Sequence, residues 1–136
     1  MNIRKFIALA IFTAAFAVLS NITVAAQEMK KETEKPIIAV IKADWCGYCK
    51  RVEPVISGLM KEYGEKFDFV IFDVTDKSAV NESTKKAESL GLGEFFKDFK
   101  NKTSAVAILK NREIVFKTFN NNKREEYVSA FEKALE

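Results

Sequence analysis

The chain has 136 residues, of which 48% are hydrophobic and 30% charged, a balance typical of one globular domain and unlike that of a disordered chain. It contains no histidine, which excludes Ser-His-Asp and Cys-His catalysis and removes histidine as a metal ligand. The formal net charge is +3, and no run of lysine and arginine is long enough to indicate nucleic-acid binding.

The first 26 residues have the layout of a secretory signal peptide. Arg4 and Lys5 form a basic start, residues 6–19 are apolar or small throughout, and Val-Ala-Ala at 24–26 suits a signal peptidase. We therefore predict a signal peptide over residues 1–26 and export of the chain, to a periplasmic or secreted location. An uncleaved leader is the alternative, and we expect membrane contact through that leader alone.

Beyond the leader, the pattern alternates between strands and helices. Residues 27–35 are polar without periodicity and predict a flexible tail, whereas residues 36–136 predict one domain. In chain order the predicted elements are a buried strand at 37–41, a helix from the cysteine pair to Gly64, a buried strand at 67–74, a helix at 78–90, a helical turn at 94–99, strands at 105–109 and 113–119, and a last helix.

This order, βαβαββα, predicts an α/β fold. The strand–helix–strand crossover makes the first two strands parallel, and the turn at 110–112 joins an antiparallel pair. We expect a mixed four-stranded sheet with helices on both faces. The residues expected in the core include Phe95, Phe96 and Phe99, and, on one side of the last helix, Tyr127, Val128, Phe131 and Leu135.

Cys46 and Cys49 are the only cysteines, and they lie where the first predicted strand ends and the first helix begins. The free amides and the dipole of a helix start stabilise a negative charge, so we expect Cys46 to be the more reactive and more exposed thiol. Cys49, one turn further on, is placed to attack a mixed disulfide formed on Cys46. Two thiols at this spacing support reversible dithiol–disulfide exchange.

Two other interpretations of the cysteine pair have less support. A structural zinc site needs four ligands, and the chain offers no further cysteine and no histidine. A purely structural disulfide across two intervening residues would constrain the unfolded chain little, so its stabilising effect would be small. We therefore expect neither a metal nor an organic cofactor at this pair.

The segment Ala-Asp-Trp-Cys-Gly-Tyr-Cys-Lys at 43–50 resembles the active-site segment of the thioredoxin superfamily. Pro54 matches the proline in that family's active-site helix, and residues 106–113 are similar to its strand and hairpin turn. The resemblance covers residues 36–136 and implies a thioredoxin-like fold. It further implies that Cys46 is the attacking thiol, that Cys49 is the resolving thiol, and that the two form a redox-active disulfide.

The same resemblance assigns neighbours that shape the site and receive the substrate. It implies that Trp45 shields the dithiol. From the residues themselves, Trp45 and Tyr48 are candidates for an apolar rim that receives extended polypeptide segments, with ordinary packing beside a helix start as the alternative. The Gly-Tyr pair between the cysteines is similar to that of bacterial periplasmic disulfide isomerases. The candidate site-shaping and substrate-binding residues are Trp45, Gly47, Tyr48, Lys50, Thr103 and Ser104.

Two positions depart from the family pattern. The superfamily usually has a cis-proline before its third strand, where this chain has Ser104 preceded by Thr103, and we predict an ordinary trans bond there. The family's buried acid, which helps deprotonate the resolving thiol, is replaced by Val40. Lys42 on the same strand is a candidate for favouring a thiolate, although a solvated lysine at a strand end is the simpler interpretation.

Together these observations predict a monomeric thiol–disulfide oxidoreductase that acts on protein disulfides outside the cytoplasm. Its partners would be protein thiols and disulfides and an unidentified redox partner, with the direction of transfer open. A different class of function is a copper(I) or iron–sulfur binding or delivery module, since two thiolates at a loop are soft ligands. A third is a binding module that keeps the fold but has little turnover.

Overall fold

The computed structural model describes residues 34–136, so the predicted signal peptide and all but two residues of the predicted tail lie outside the described part. In chain order the elements are β1 (Ile37–Lys42), α1 (Gly47–Tyr63), β2 (Asp68–Asp73), α2 (Lys77–Ser89), α3 (Gly93–Phe99), β3 (Ala105–Lys110), β4 (Glu113–Phe119) and α4 (Arg124–Leu135). The predicted order is confirmed, with the expected helical turn forming the separate helix α3.

The four strands form one mixed sheet in the order β2-β1-β3-β4. β1 and β2 are parallel because α1 crosses between them, whereas β3 is antiparallel to both β1 and β4. Val40, in the middle of β1, lies opposite Ile71 of β2 and Val106 of β3. The predicted mixed four-stranded sheet with helices on both faces is therefore confirmed.

Two apolar clusters fill the space on either side of the sheet. Successive side chains of a strand point to opposite faces, so Ala39 and Ile41 pack toward α2 and α3, whereas Ile38 and Val40 pack toward α1 and α4. The central strands β1 and β3 are buried on both faces, which is why each contains a continuous apolar run. Both cysteines belong to the cluster on the α2 and α3 side.

The second strand is less buried than the buried strand predicted at 67–74. In the described part of the chain β2 lies at the edge of the sheet, where Val70 and Phe72 are buried but Asp68 and Ile71 are exposed. The reason is that α2 and α3 cover one face of β2, whereas α1 covers the other face only in part. The run of apolar residues in this strand therefore predicted more burial than the structure shows.

The helices bury the apolar faces that their periodicity predicts, with one exception. The three phenylalanines of α3 are buried, as expected, and so are Tyr127 and Phe131 of α4. Leu135 was expected on the same side but is 41% exposed, and Ala134 packs inward in its place. The Tyr127 hydroxyl donates to the Asn121 carbonyl at 2.7 Å, and burial raises the pKa of Tyr127 to about 12.

Candidate active site

The two cysteines meet at the start of α1. Cys46 is the N-cap residue, with extended backbone angles, and its Sγ accepts a hydrogen bond from the Cys49 backbone N–H at 3.1 Å. The Cα atoms lie 5.2 Å apart and the sulfurs are joined in a disulfide, so the described state is the oxidised one. β1 ends at Lys42, and the short turn after it delivers both sulfurs to the helix start.

Both cysteines are buried in this oxidised state. Cys46 is 5% exposed and Cys49 is 8% exposed, so the expectation that Cys46 is the more exposed residue is wrong here. The physical reason is that both side chains pack into the apolar cluster that also contains Ala43 and Ala105. Trp45 and Tyr48, in contrast, are 66% and 50% exposed, and the apolar rim expected of them stays a prediction.

Ser104 lies close to Cys49. Its backbone N–H donates to the Ile41 carbonyl at 2.9 Å, and the Cys49 Sγ lies 4.0 Å from that same oxygen. No peptide bond between residues 34 and 136 is cis, so the trans bond expected before Ser104 is confirmed. The structure thus brings Ser104 beside Cys49 without the family's proline geometry.

Ser104 adopts a left-handed backbone conformation, with φ at 64°. Such a conformation costs a non-glycine residue about 1–2 kcal/mol. Hydrogen bonds compensate for this cost: the buried Ser104 hydroxyl donates to the Asn120 side-chain oxygen and accepts from the Asn120 backbone N–H. The loop before β3 is therefore held by Asn120, directly after β4, rather than by a proline ring.

The remaining candidate residues surround this centre with less direct contact. Thr103 is half-buried beside Ser104, and Lys50 is exposed on the first turn of α1. A Cβ atom built on Gly47 would meet no atom within 4 Å among the described residues, so packing does not require glycine between the cysteines. Gly47 and Tyr48 are themselves exposed to solvent.

Lys42 forms two ion pairs at the end of β1. Its Nζ lies 3.7 Å from an Asp44 carboxylate oxygen and 3.6 Å from an Asp73 carboxylate oxygen. Two carboxylates therefore balance the charge of this lysine, which weakens any pull it exerts on a thiolate. The half-exposed position agrees with the simpler interpretation of a lysine at a strand end.

Thr75 is a site residue that the sequence analysis missed. Its Oγ1 accepts from the Asp44 backbone N–H at 3.0 Å, and its carbonyl accepts from the Trp45 indole Nε1–H at 3.0 Å. Its own N–H and hydroxyl donate to an Asp73 carboxylate oxygen at 2.8 and 2.5 Å. These bonds tie the turn before Cys46 to the end of β2. The available signal was an aspartate two residues before a threonine, which favours a local side-chain turn.

We expect Thr75→Val to loosen this turn, because valine keeps the shape but removes the hydroxyl bonded to Asp44 and Asp73. The loss in the free energy of unfolding should be about 1–2 kcal/mol at neutral pH, measured by urea denaturation of the oxidised protein. Thr84→Val is the matched control, since the Thr84 hydroxyl only donates to Val80 within α2. Equal effects of the two substitutions would show that Thr75 does not anchor the turn.

The pH dependence of the same variant follows from Asp73. The Thr75 hydroxyl is the main cause that holds the pKa of Asp73 below its ordinary value of 3.8, with smaller contributions from the Thr75 amide and Lys42. This contribution to stability is present above about pH 3.8 and is lost as the pH falls through the lower, folded value. When the pH falls below 3.8, the free energy of unfolding should therefore decrease less for Thr75→Val than for the unmodified protein.

A groove of about 510 Å³ lies along α1 and reaches Cys49. Its floor is apolar, and Val40 and Ile71 meet there as cross-strand partners. Val40 occupies the position of the buried acid in the superfamily that the chain resembles. Both Val40 and its partner on β2, Ile71, are therefore apolar. The other side chains that line the groove include Val52, Ile56 and Met60 along the helix and Lys42, Asp44, Lys50 and Glu53 near its cysteine end.

Among residues 34–136, no group of three or more cysteine, aspartate or glutamate side chains is arranged to hold a metal ion. None of the helices described there has the length and hydrophobicity required to cross a membrane.

Comparison with known proteins identifies clear relatives. The family model described as thioredoxin matches residues 20–115, and so begins ahead of the predicted cleavage after Ala26. An H-type thioredoxin of Chlamydomonas reinhardtii is 40% identical over 53 residues, which cover 39% of this chain and 47% of the relative. A thioredoxin-like protein of Synechocystis is 30% identical over 64 residues, 45% of this chain and 59% of the relative. The chain thus spans about half the length of the curated relatives it matches.

Solved structures agree with the fold. A Fasciola hepatica thioredoxin superposes with a TM-score of 0.51 at 16% identity, covering 75% of this chain and 83% of that one. A Malassezia sympodialis thioredoxin gives a TM-score of 0.51 at 18% identity, covering 76% of this chain and 80% of that one. At these identities the likeness concerns the arrangement of helices and strands.

Proposed function

Because this chain belongs to the thioredoxin family, whose model matches residues 20–115, we propose that it is a thiol–disulfide oxidoreductase acting on protein disulfides. The observation that carries the proposal is the Cys46 sulfur at the N-cap of α1, bonded to Cys49 and accepting the Cys49 N–H. A sulfur in that position is stabilised as a thiolate when the disulfide opens.

The start of α1 also carries favourable charge. Its first turn, Gly47 to Lys50, contains no acidic side chain, so no carboxylate of that turn opposes a negative sulfur. Lys50 and Arg51 follow the cysteines directly and add positive charge. The helix dipole and these cations act in the same direction on Cys46.

Reduction of a substrate proceeds in two exchange steps. The Cys46 thiolate attacks one sulfur of the substrate disulfide, forming a Cys46–substrate disulfide while the other substrate sulfur leaves as a thiolate and takes a proton. Cys49, as a thiolate, then attacks the Cys46 sulfur, forming the Cys46–Cys49 disulfide and releasing the second substrate thiolate. Oxidation of a dithiol substrate is the same sequence in reverse, so the site supports either direction.

The proton of Cys49 has to leave before the second step. The Ile41 carbonyl lies 4.0 Å from Cys49 Sγ and is an acceptor for that thiol, but it cannot remove the proton. Val40 and Ile71 supply no acid or base at the floor of the groove, so the acceptors on offer are water and the Asp44 and Glu53 carboxylates near its cysteine end. We therefore expect the second step to slow as the pH falls and Cys49 stays protonated.

We also propose that the protein acts outside the cytoplasm, in a periplasmic or secreted form. The support is the basic, apolar and small-residue order of residues 1–26. Mass spectrometry of the protein from its native host should give a mature start at Gln27. An intact Met1 recovered from the membrane fraction would indicate an anchored protein instead.

The activity is tested with the purified chain and a protein disulfide. Thiol titration should count two thiols after reduction and none after oxidation, and the protein should accelerate reduction of insulin by dithiothreitol. Bovine serum albumin alkylated at its free thiol is a suitable inert control protein. A folded chain that titrates two thiols but gives no acceleration with insulin or another protein disulfide would refute the oxidoreductase proposal and favour a binding module.

A further inference from the structure

We propose that Arg51 is a carboxylate-binding residue that makes the protein prefer substrates with an aspartate or glutamate next to the reacting disulfide. The inference rests on the proposed oxidoreductase function and specifies its substrate class. Neither the motif nor the sequence pattern assigned a role to Arg51. Its position relative to the exposed rim indicates one.

The Arg51 guanidinium stacks on the ring of Tyr48. Its Cζ lies 4.4 Å from the ring centroid, and the two residues are one helical turn apart on α1. Tyr48 separates the two cysteines, so the stack holds a cation beside the disulfide. A guanidinium stacked by its face keeps its N–H donors at the edge, where they match a carboxylate in a two-point hydrogen bond.

That cation forms no ion pair among the described residues, although the Glu53 carboxylate follows it by two residues on the same helix. No ion pair between residues 34 and 136 involves Lys50 or Arg51, whereas nearby Asp44 is paired with Lys42. Lys100 and Lys102 add positive charge to the segment that leads to Ser104. An approaching polypeptide therefore meets exposed aromatic rings together with unpaired positive charge.

This combination fits an acidic segment better than a neutral or basic one. The exposed faces of Trp45 and Tyr48 contact apolar parts of a chain, and the Arg51 fork binds a carboxylate within reach of the cysteine. Complementary charge at such a rim raises the association rate, and a like charge lowers it. The preference should therefore act before the exchange chemistry and depend on salt.

The test uses three disulfide-linked peptides that differ only in the two residues after the cysteine, which are glutamate, glutamine or lysine. The second-order rate constant for reduction by the pre-reduced protein is divided by that for dithiothreitol, because flanking charge alters disulfide reactivity itself. The variants are Arg51→Gln and, as a matched control, Lys61→Gln. Lys61 carries the same charge at the far end of the same helix, about 15 Å away.

We expect the unmodified protein to reduce the glutamate peptide about threefold to tenfold faster than the glutamine peptide, with the lysine peptide slowest. Arg51→Gln should remove most of this preference, and Lys61→Gln should retain it. The preference is the ratio of the glutamate-peptide rate to the glutamine-peptide rate within each variant, because loss of the Arg51 charge also acts on the Cys46 thiolate and changes both rates together. About 0.5 M salt should reduce the preference in the unmodified protein.

Two results would overturn the assignment of Arg51. One is equal normalised rates for the three peptides with the unmodified protein. The other is an equal loss of preference in Arg51→Gln and Lys61→Gln, which would assign the effect to net charge. Reduction of none of the peptides, by a protein that titrates two thiols, would instead refute the oxidoreductase function on which the inference rests.

Discussion

Replacing Cys46 with serine should lower the rate of disulfide reduction about a thousandfold or more. A serine hydroxyl at the start of α1 stays protonated near neutral pH and cannot form the covalent intermediate, whereas the cysteine thiolate attacks directly. The measurement is kcat/KM for insulin reduction by the variant and by the unmodified protein. Serine fills nearly the same space, so equal thermal melting of the two reduced proteins serves as the control for folding.

Cys49→Ser is the comparison that separates the two roles. This variant keeps the attacking thiol but lacks the group that resolves the mixed disulfide, so it should accumulate a covalent Cys46–substrate adduct. Mass spectrometry should detect that adduct in Cys49→Ser and not in Cys46→Ser. An adduct that forms only in Cys46→Ser would reverse the roles assigned to the two cysteines.

Phe131→Ala should produce a large loss of stability. Phe131 is fully buried on the α1 and α4 side of the sheet, and its ring centroid lies 4.7 Å from that of Phe67 and 5.2 Å from that of Tyr63. Truncating a buried phenylalanine to alanine removes these contacts and leaves a cavity, at a cost of about 3–5 kcal/mol. Urea denaturation of the oxidised proteins measures the difference.

Leu135→Ala supplies the control on the same helix. Leu135 is 41% exposed, so its truncation should cost well under about 1 kcal/mol even though it also removes a large apolar side chain. The contrast would confirm that α4 is held by its inward face. A loss below about 1 kcal/mol for Phe131→Ala would contradict the packing described for that face.

The sequence predicted the order of elements because each strand and helix carries its own local periodicity. The central strands β1 and β3 contain unbroken apolar runs, and α1 repeats apolar residues at helical spacing. β2 carries a similar run, and its exposed face depends on what covers it from elsewhere in the chain. A local run of residues shows how hydrophobic a strand is, whereas tertiary packing decides which of its two faces is buried.

The sequence predicted the cysteine pair of the candidate site but not the contacts from other parts of the chain that hold the site in place. The strand-to-helix position of Cys46 and Cys49 follows from adjacent residues, so the pair was placed correctly at the start of α1. Thr75 accepts a hydrogen bond from Asp44, which lies 31 residues earlier in the chain, and no local sequence pattern predicts that contact. The burial of both cysteines was also missed, because it depends on side chains from other parts of the fold.

The register of β4 bears on how the protein behaves at high concentration. Ile108 pairs with Phe116 and Leu109 with Ile114, so Val115 has no partner on β3 and forms a bulge. β4 lies at one edge of the described sheet and exposes Ile114, Val115 and Phe119, a combination that invites other chains to add as further strands. A bulge in the middle of that edge breaks its regular row of hydrogen-bonding groups. The irregularity therefore opposes aggregation at the most apolar edge of the described sheet.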